Sequence, residues 1–167
     1  MSINFLSEAQ ALREKLTSLR EEFHVIPEKG NHEFKTAELI ERCLDEINIP
    51  HKRVLDTGII ARLDGKLPGR HSAIRADIDA LPITEATGAK FASHNQGMMH
   101  ACGHDVHITG ALGAAAILKA NEEILSGSVT FIFQPDEEGD GGAKRIIDTG
   151  ELENVDAVFG ASPLLCV

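Results

Sequence analysis

Asp105–Phe133, DVHITGALGAAAILKANEEILSGSVTFIF, joins two segments of opposite pattern. The first half is rich in small residues. Ala111, Ala114, Ala115 and Ala116 would let a helix over 105–120 lie close against a sheet. The last five residues, Val129–Phe133, form an apolar run short enough for a buried strand. A helix followed by a buried strand is the unit from which layered α/β domains are built.

The flanking sequence repeats that alternation. Leu12, Leu16, Leu19 and Phe23 recur at helical spacing, which predicts one amphipathic helix over 3–23, ended by Pro27 and Gly30. A second helix is expected over 33–47, with Leu39, Ile40, Cys43, Leu44 and Ile47 facing inward and Ile49-Pro50 closing it. Ile59–Leu63 reads as a short strand with Asp64-Gly65 as its turn, and Pro68-Gly69 as another turn. Ser72–Ala76 reads as a strand running into Asp77-Ile78-Asp79, and 82–100 as irregular. A short helix over 141–148 and a last strand over 156–160 complete the pattern. The expected fold is α/β, a layered domain with a mostly parallel sheet flanked by helices.

Composition bounds the function. The chain has 167 residues and a net charge of −10, from 16 Lys+Arg against 26 Asp+Glu. That length suits one domain. An acidic balance without a basic cluster argues against nucleic-acid binding. No run reaches the ~18 apolar residues of a membrane helix, and the N-terminus lacks the pattern of a secretory signal. Cys43, Cys102 and Cys166 form an odd, sparse set that suits a reducing, cytoplasmic setting.

Three clusters carry chemistry. Between positions 100 and 107 lie His100, Cys102, His104, Asp105 and His107. Cys102 and His104 cannot share a helix face, but Gly103 between them lets both turn toward one point. Thiolate and imidazole together suit a borderline-soft cation such as Zn²⁺. Gln134–Gly142 follows the apolar strand directly, and ligands in open α/β sheets gather at carboxyl ends of strands. Alone, this segment also reads as a solvated acidic turn. Asp77 and Asp79, two apart at a strand end, face the same side, where a carboxylate can hold a ligating His in the right tautomer. A bare pair of Asp residues also serves simply to turn a strand into a loop. His24, His32, His51 and His71 are expected in surface or capping roles, and His94, His100 and His107 near the site.

Taken in order, RADIDALP at 75–82, MHACGHD at 99–105 and FQPDEEG at 133–139 resemble the amidohydrolase branch of the zinc-peptidase family. That branch holds aminoacylases, hippurate hydrolases, N-acetyl-diaminopimelate deacetylases and auxin-conjugate hydrolases. LREEFHVIPE at 19–28 is similar to its N-terminal helix pair. The resemblance implies hydrolysis of an N-acyl amino acid or related amide by a metal-activated water, with two divalent metal ions, Zn or Mn. It implies that Cys102 bridges the metals, that His104 and Glu138 bind them, that Glu137 is the general base, and that Asp79 lies behind the ligands. It also implies a metal-binding His where Ser162 stands, and a chain more than twice as long. Residues 1–167 are thus expected to be the N-terminal half of a catalytic domain, without the lid or dimerisation domain and the C-terminal return. The uncovered sheet edge would invite self-association. Two other readings stand beside the enzyme. One is a catalytically inactive, truncated relative acting as an interaction module. The other is a thiol hydrolase with Cys102 as nucleophile.

Overall fold

The structure, a computed structural model, describes residues 4–161. Helices α1 (Phe5–Ala11), α2 (Arg13–His24) and α3 (Phe34–Glu46) precede strands β1 (His51–Val54), β2 (Gly58–Asp64) and β3 (Leu67–Asp77). Helix α4 (His104–Ala120) and a single 3₁₀ turn (Glu122–Ile124) lead to β4 (Ser126–Gln134), α5 (Gly142–Asp148) and β5 (Ala157–Gly160).

The strands form one sheet in the order β1-β2-β4-β3-β5. β3 runs parallel to both β4 and β5, whereas β2 is antiparallel to β1 and β4. β2 alone therefore opposes the common direction, so the sheet is mostly parallel as expected. β4 lies at its centre, and Val129–Phe133 sits within it. Phe131 and Phe133 enter the main core with Phe23, Ile40, Leu44, Ile59, Ala61, Ile78, Ile108 and Leu112. Ile132 turns to the opposite face and packs with Ile60, Ala73 and Ile146. The period-two alternation gives both faces an apolar cover, which is why this strand reads as a continuous apolar run. Among the described residues no helix is long and apolar enough to cross a membrane.

Several expectations need correction. The first helix is two helices, joined at Leu12, which serves as the C-cap of α1 and the N-cap of α2. Pro68-Gly69 is not a turn. It lies in the exposed first part of β3, where pairing with β4 shifts register between Leu67 and His71. β1 had no apolar signal because His51-Lys52-Arg53-Val54 is an edge strand with its middle residues exposed. His51 and His71 are therefore strand residues, the latter with Nε2 2.8 Å from the Thr130 hydroxyl. Helices 33–47 and 105–120 and the last strand stand within a residue or so of their expected bounds.

Candidate metal centre

Strands β3 and β4 are paired in parallel, with Asp77 level with Gln134, so their carboxyl ends open onto the same edge. Helix α4 begins at that edge. Gly103 caps it at φ +81°, a left-handed conformation that a side chain would strain. That bend brings Cys102, in the loop, and His104, in the first turn, to the same point. The ligand atoms of Cys102, His104 and Glu138 all lie within 4.8 Å of one another.

His104 is held most firmly. It is 4% exposed, and its Nδ1 lies 2.9 Å from the Asp79 carbonyl oxygen and 3.2 Å from Asp79 Oδ1. An Nδ1–H donating to these oxygens leaves the Nε2 lone pair free. Nε2 lies 3.6 Å from Asp77 Oδ1 and 3.8 Å from Glu138 Oε1. Burial acts to lower the His104 pKa, but the hydrogen bond to Asp79 and the charge of Asp77 outweigh it and raise the value. Burial likewise acts to raise Asp79, but the hydrogen bonds from His104 and the Glu138 amide hold its carboxyl below the ordinary range. Asp79 Oδ2 accepts that Glu138 N–H at 2.9 Å, so one carboxylate fixes both the imidazole and the backbone of the acidic loop.

The acidic loop is pinned from behind as well. Glu33 is fully buried, and accepts the Thr57 hydroxyl at 2.7 Å and the Asp136 N–H at 2.9 Å. Asp136 sits at φ +55° with its side chain buried, and accepts the Asp140 N–H at 3.1 Å. Glu137 and Glu138 follow it into solvent. Glu137 turns its amide toward Asp79 and lies outside the Cys102, His104 and Glu138 group.

Cys102 is a free thiol on the exposed side of the centre. Partial burial, a hydrogen bond to Glu138 and the charges of Glu138, Glu137 and Asp79 push it up to about 12. A thiol so high is no nucleophile near neutral pH, which counts against the thiol-hydrolase reading. A soft thiol, a Nε2 lone pair and a carboxylate within one reach fit a divalent cation. Ser162 lies outside the described residues.

Two buried networks flank the centre. In the first, Asp77 meets His107 Nδ1 at 2.5 Å and Arg75 Nη1 at 2.6 Å, and His107 stacks on His104 with centroids 5.5 Å apart. In the second, Asp105 Oδ2 lies 2.7 Å from His24 Nδ1 and 2.6 Å from Arg20 Nε. His24 is thus no surface residue but 3% exposed, and sequence reading missed it because its partner is 81 positions away. His100 is equally buried, its ring nitrogens have no protein partner, and burial lowers it to about 4. His94 stays exposed, with only its amide bound, to the Val25 carbonyl.

Known proteins are similar to this chain in sequence and in fold. The chain is 45% identical to the N-acetyl-L-cysteine deacetylase of Bacillus subtilis over 150 residues, 89% of this chain and 36% of that protein. It is 44% identical to IAA-amino acid hydrolase ILR1-like 5 of Arabidopsis thaliana, over 94% of this chain and 37% of that protein. It therefore spans well under half the length of either relative. The crystal structure of Bacillus subtilis YXEP protein, described as a dinuclear metal binding peptidase from the M20 family, superposes with a TM-score of 0.88. Its identity is 43%, covering 92% of this chain and 44% of that one. The profile of peptidase family M20/M25/M40 matches residues 73–163, a stretch that takes in Asp79, Cys102, His104 and Glu138. The profile match spans more than half of the chain, and the chain belongs to peptidase family M20/M25/M40.

Proposed function

We propose that this chain carries the cation-binding and proton-transfer residues for hydrolysis of an N-acyl amino acid or a related amide. The observation that supports this most is the triad of Cys102, His104 and Glu138, with the His104 Nε2 left open by its bond to Asp79. Similarity to proteins named as an N-acetyl-L-cysteine deacetylase and an IAA-amino acid hydrolase supports the substrate class. Residues 1–167 would then correspond to the N-terminal half of a catalytic domain.

Cys102, His104 and Glu138 would hold one divalent cation or share in holding two. Zn²⁺ suits the thiol and imidazole, and Mn²⁺ the carboxylate. Such a cation supplies Lewis acidity toward the acyl oxygen and lowers the pKa of the attacking water. Glu137 adjoins Glu138 and is exposed, free to take a proton from that water and return it to the departing amine. Asp79 orients His104 and keeps the Glu137–Glu138 backbone in place. Cys43 and Cys102 are both free thiols, in keeping with a cytoplasmic setting.

The test is release of free amine from a panel of N-acetyl and N-aroyl amino acids, with and without added Zn²⁺ or Mn²⁺. Metal-dependent release that disappears in Glu137→Gln, while cation content is kept, bears the reading out. Full turnover in Glu137→Gln removes Glu137 as the base. A cation-loaded chain that releases no amine favours the non-catalytic reading.

A further inference from the structure

We propose that His24 is a positioning residue for the cation centre, holding the loop that carries Cys102 against the helix that begins at His104. The inference rests on the reading of Cys102, His104 and Glu138 as cation ligands.

Cys102 and His104 reach the centre from different elements, the end of the 82–103 loop and the first turn of α4. One buried side chain touches both. His24, the last residue of α2, has Nδ1 2.7 Å from Asp105 Oδ2, and Asp105 adjoins His104. On the other edge of the same ring, Nε2 lies 3.4 Å from Glu85 Oε1. Glu85 organises the loop, since its other oxygen accepts the Ser93 N–H at 2.6 Å and it also takes the Thr87 hydroxyl. Phe91 of the loop packs edge-on against His24 at 5.4 Å and beneath the Arg20 guanidinium at 4.9 Å. The two ring nitrogens stand on opposite edges of a rigid plane, so the side chain spaces the α4 side of the contact from the loop side.

Stability does not explain such an arrangement. Asp105 is fully buried, and its Oδ1 has no hydrogen-bond partner. Desolvation offsets much of the attraction within a buried charged pair, so this network is assigned to the geometry it specifies. The geometry specified here is the separation of a loop ligand from a helix ligand.

The test is Co²⁺ titration of the whole chain, followed by the thiolate-to-cobalt charge-transfer absorption, with thermal midpoints taken without metal. His24→Leu should weaken Co²⁺ binding about 10–100-fold and shift or lose the band. His24→Asn, which keeps a donor toward Asp105 but loses the contact to Glu85, should recover only part of both at a similar thermal midpoint. Unchanged affinity and band in His24→Leu would overturn the proposal. So would a loss of binding in both variants that only follows their thermal midpoints. If the unaltered chain takes up no Co²⁺, the ligand reading itself fails, and the role of His24 with it.

Discussion

The two halves of the candidate centre are held very differently. His104 and Asp79 are buried and bonded to each other through side chain and backbone. Cys102 and Glu138 stand at the exposed rim, where the Glu138 amide is held by Asp79 and the two side chains are bonded to each other. On the proposed reading, one half would be set before a cation arrives, while the other would be ordered on binding. Preorganised donors contribute most because little ordering remains to be done on binding. Substitutions on the buried half should therefore cost more affinity than substitutions at the rim.

The largest effect is expected at His104. His104→Ala should lower Zn²⁺ affinity by on the order of 100-fold or more in competition with a chromophoric chelator. Asp79→Asn should lower it about 10–100-fold by loosening the tautomer and the ring orientation. Glu138→Gln should stay nearer tenfold, and a loss there as large as at His104 would erase the proposed difference between the halves.

The pH dependence gives a subtler test. His104 is raised, so its contribution to stability is complete below the ordinary imidazole range and fades as pH rises through its folded value. Asp79 is lowered, so its contribution is complete above the ordinary carboxylate range and fades as pH falls through its folded value. From these two groups, the metal-free chain should be most stable between about pH 4 and 6.5. Cation uptake should run the other way and strengthen with pH, because His104 Nε2 and the Cys102 thiol must both give up protons. Thermal melts across pH, with and without Zn²⁺, would separate the two trends.

The smallest effect concerns the support of the rim. A Cβ at Gly30 would stand 2.2 Å from Asp136 Oδ1 and 3.0 Å from Asp136 Cα, at the base of the acidic loop. Gly30→Ala should cost about 1–3 kcal/mol in denaturant unfolding. It should also disturb Glu138 more than His104, visible as weaker cation binding without loss of the Asp79–His104 bond.

How much of this was legible in the sequence follows from the range of each interaction. Local patterns placed α3, α4 and β4, because period and composition within a dozen residues decide them. Cys102, Gly103 and His104 were legible as a turn toward one point, and Gly103 does take the left-handed conformation. Asp77 and Asp79 were legible as a same-side pair, and both meet His104. What depends on distant partners was not. His24 is read as a helix-end residue until Asp105 is brought against it. Glu33 looks like an ordinary helix-start acid until Thr57 and the Asp136 amide close around it. β1 is polar because only one of its edges is paired.

The most direct test of the central claim is elemental analysis of zinc in the purified chain and in its Cys102→Ala and His104→Ala variants, after loading and desalting. At least one tightly held Zn²⁺ is expected per unaltered chain, much less with Cys102→Ala, and none with His104→Ala. Equal zinc in all three, or none in the unaltered chain, would contradict it.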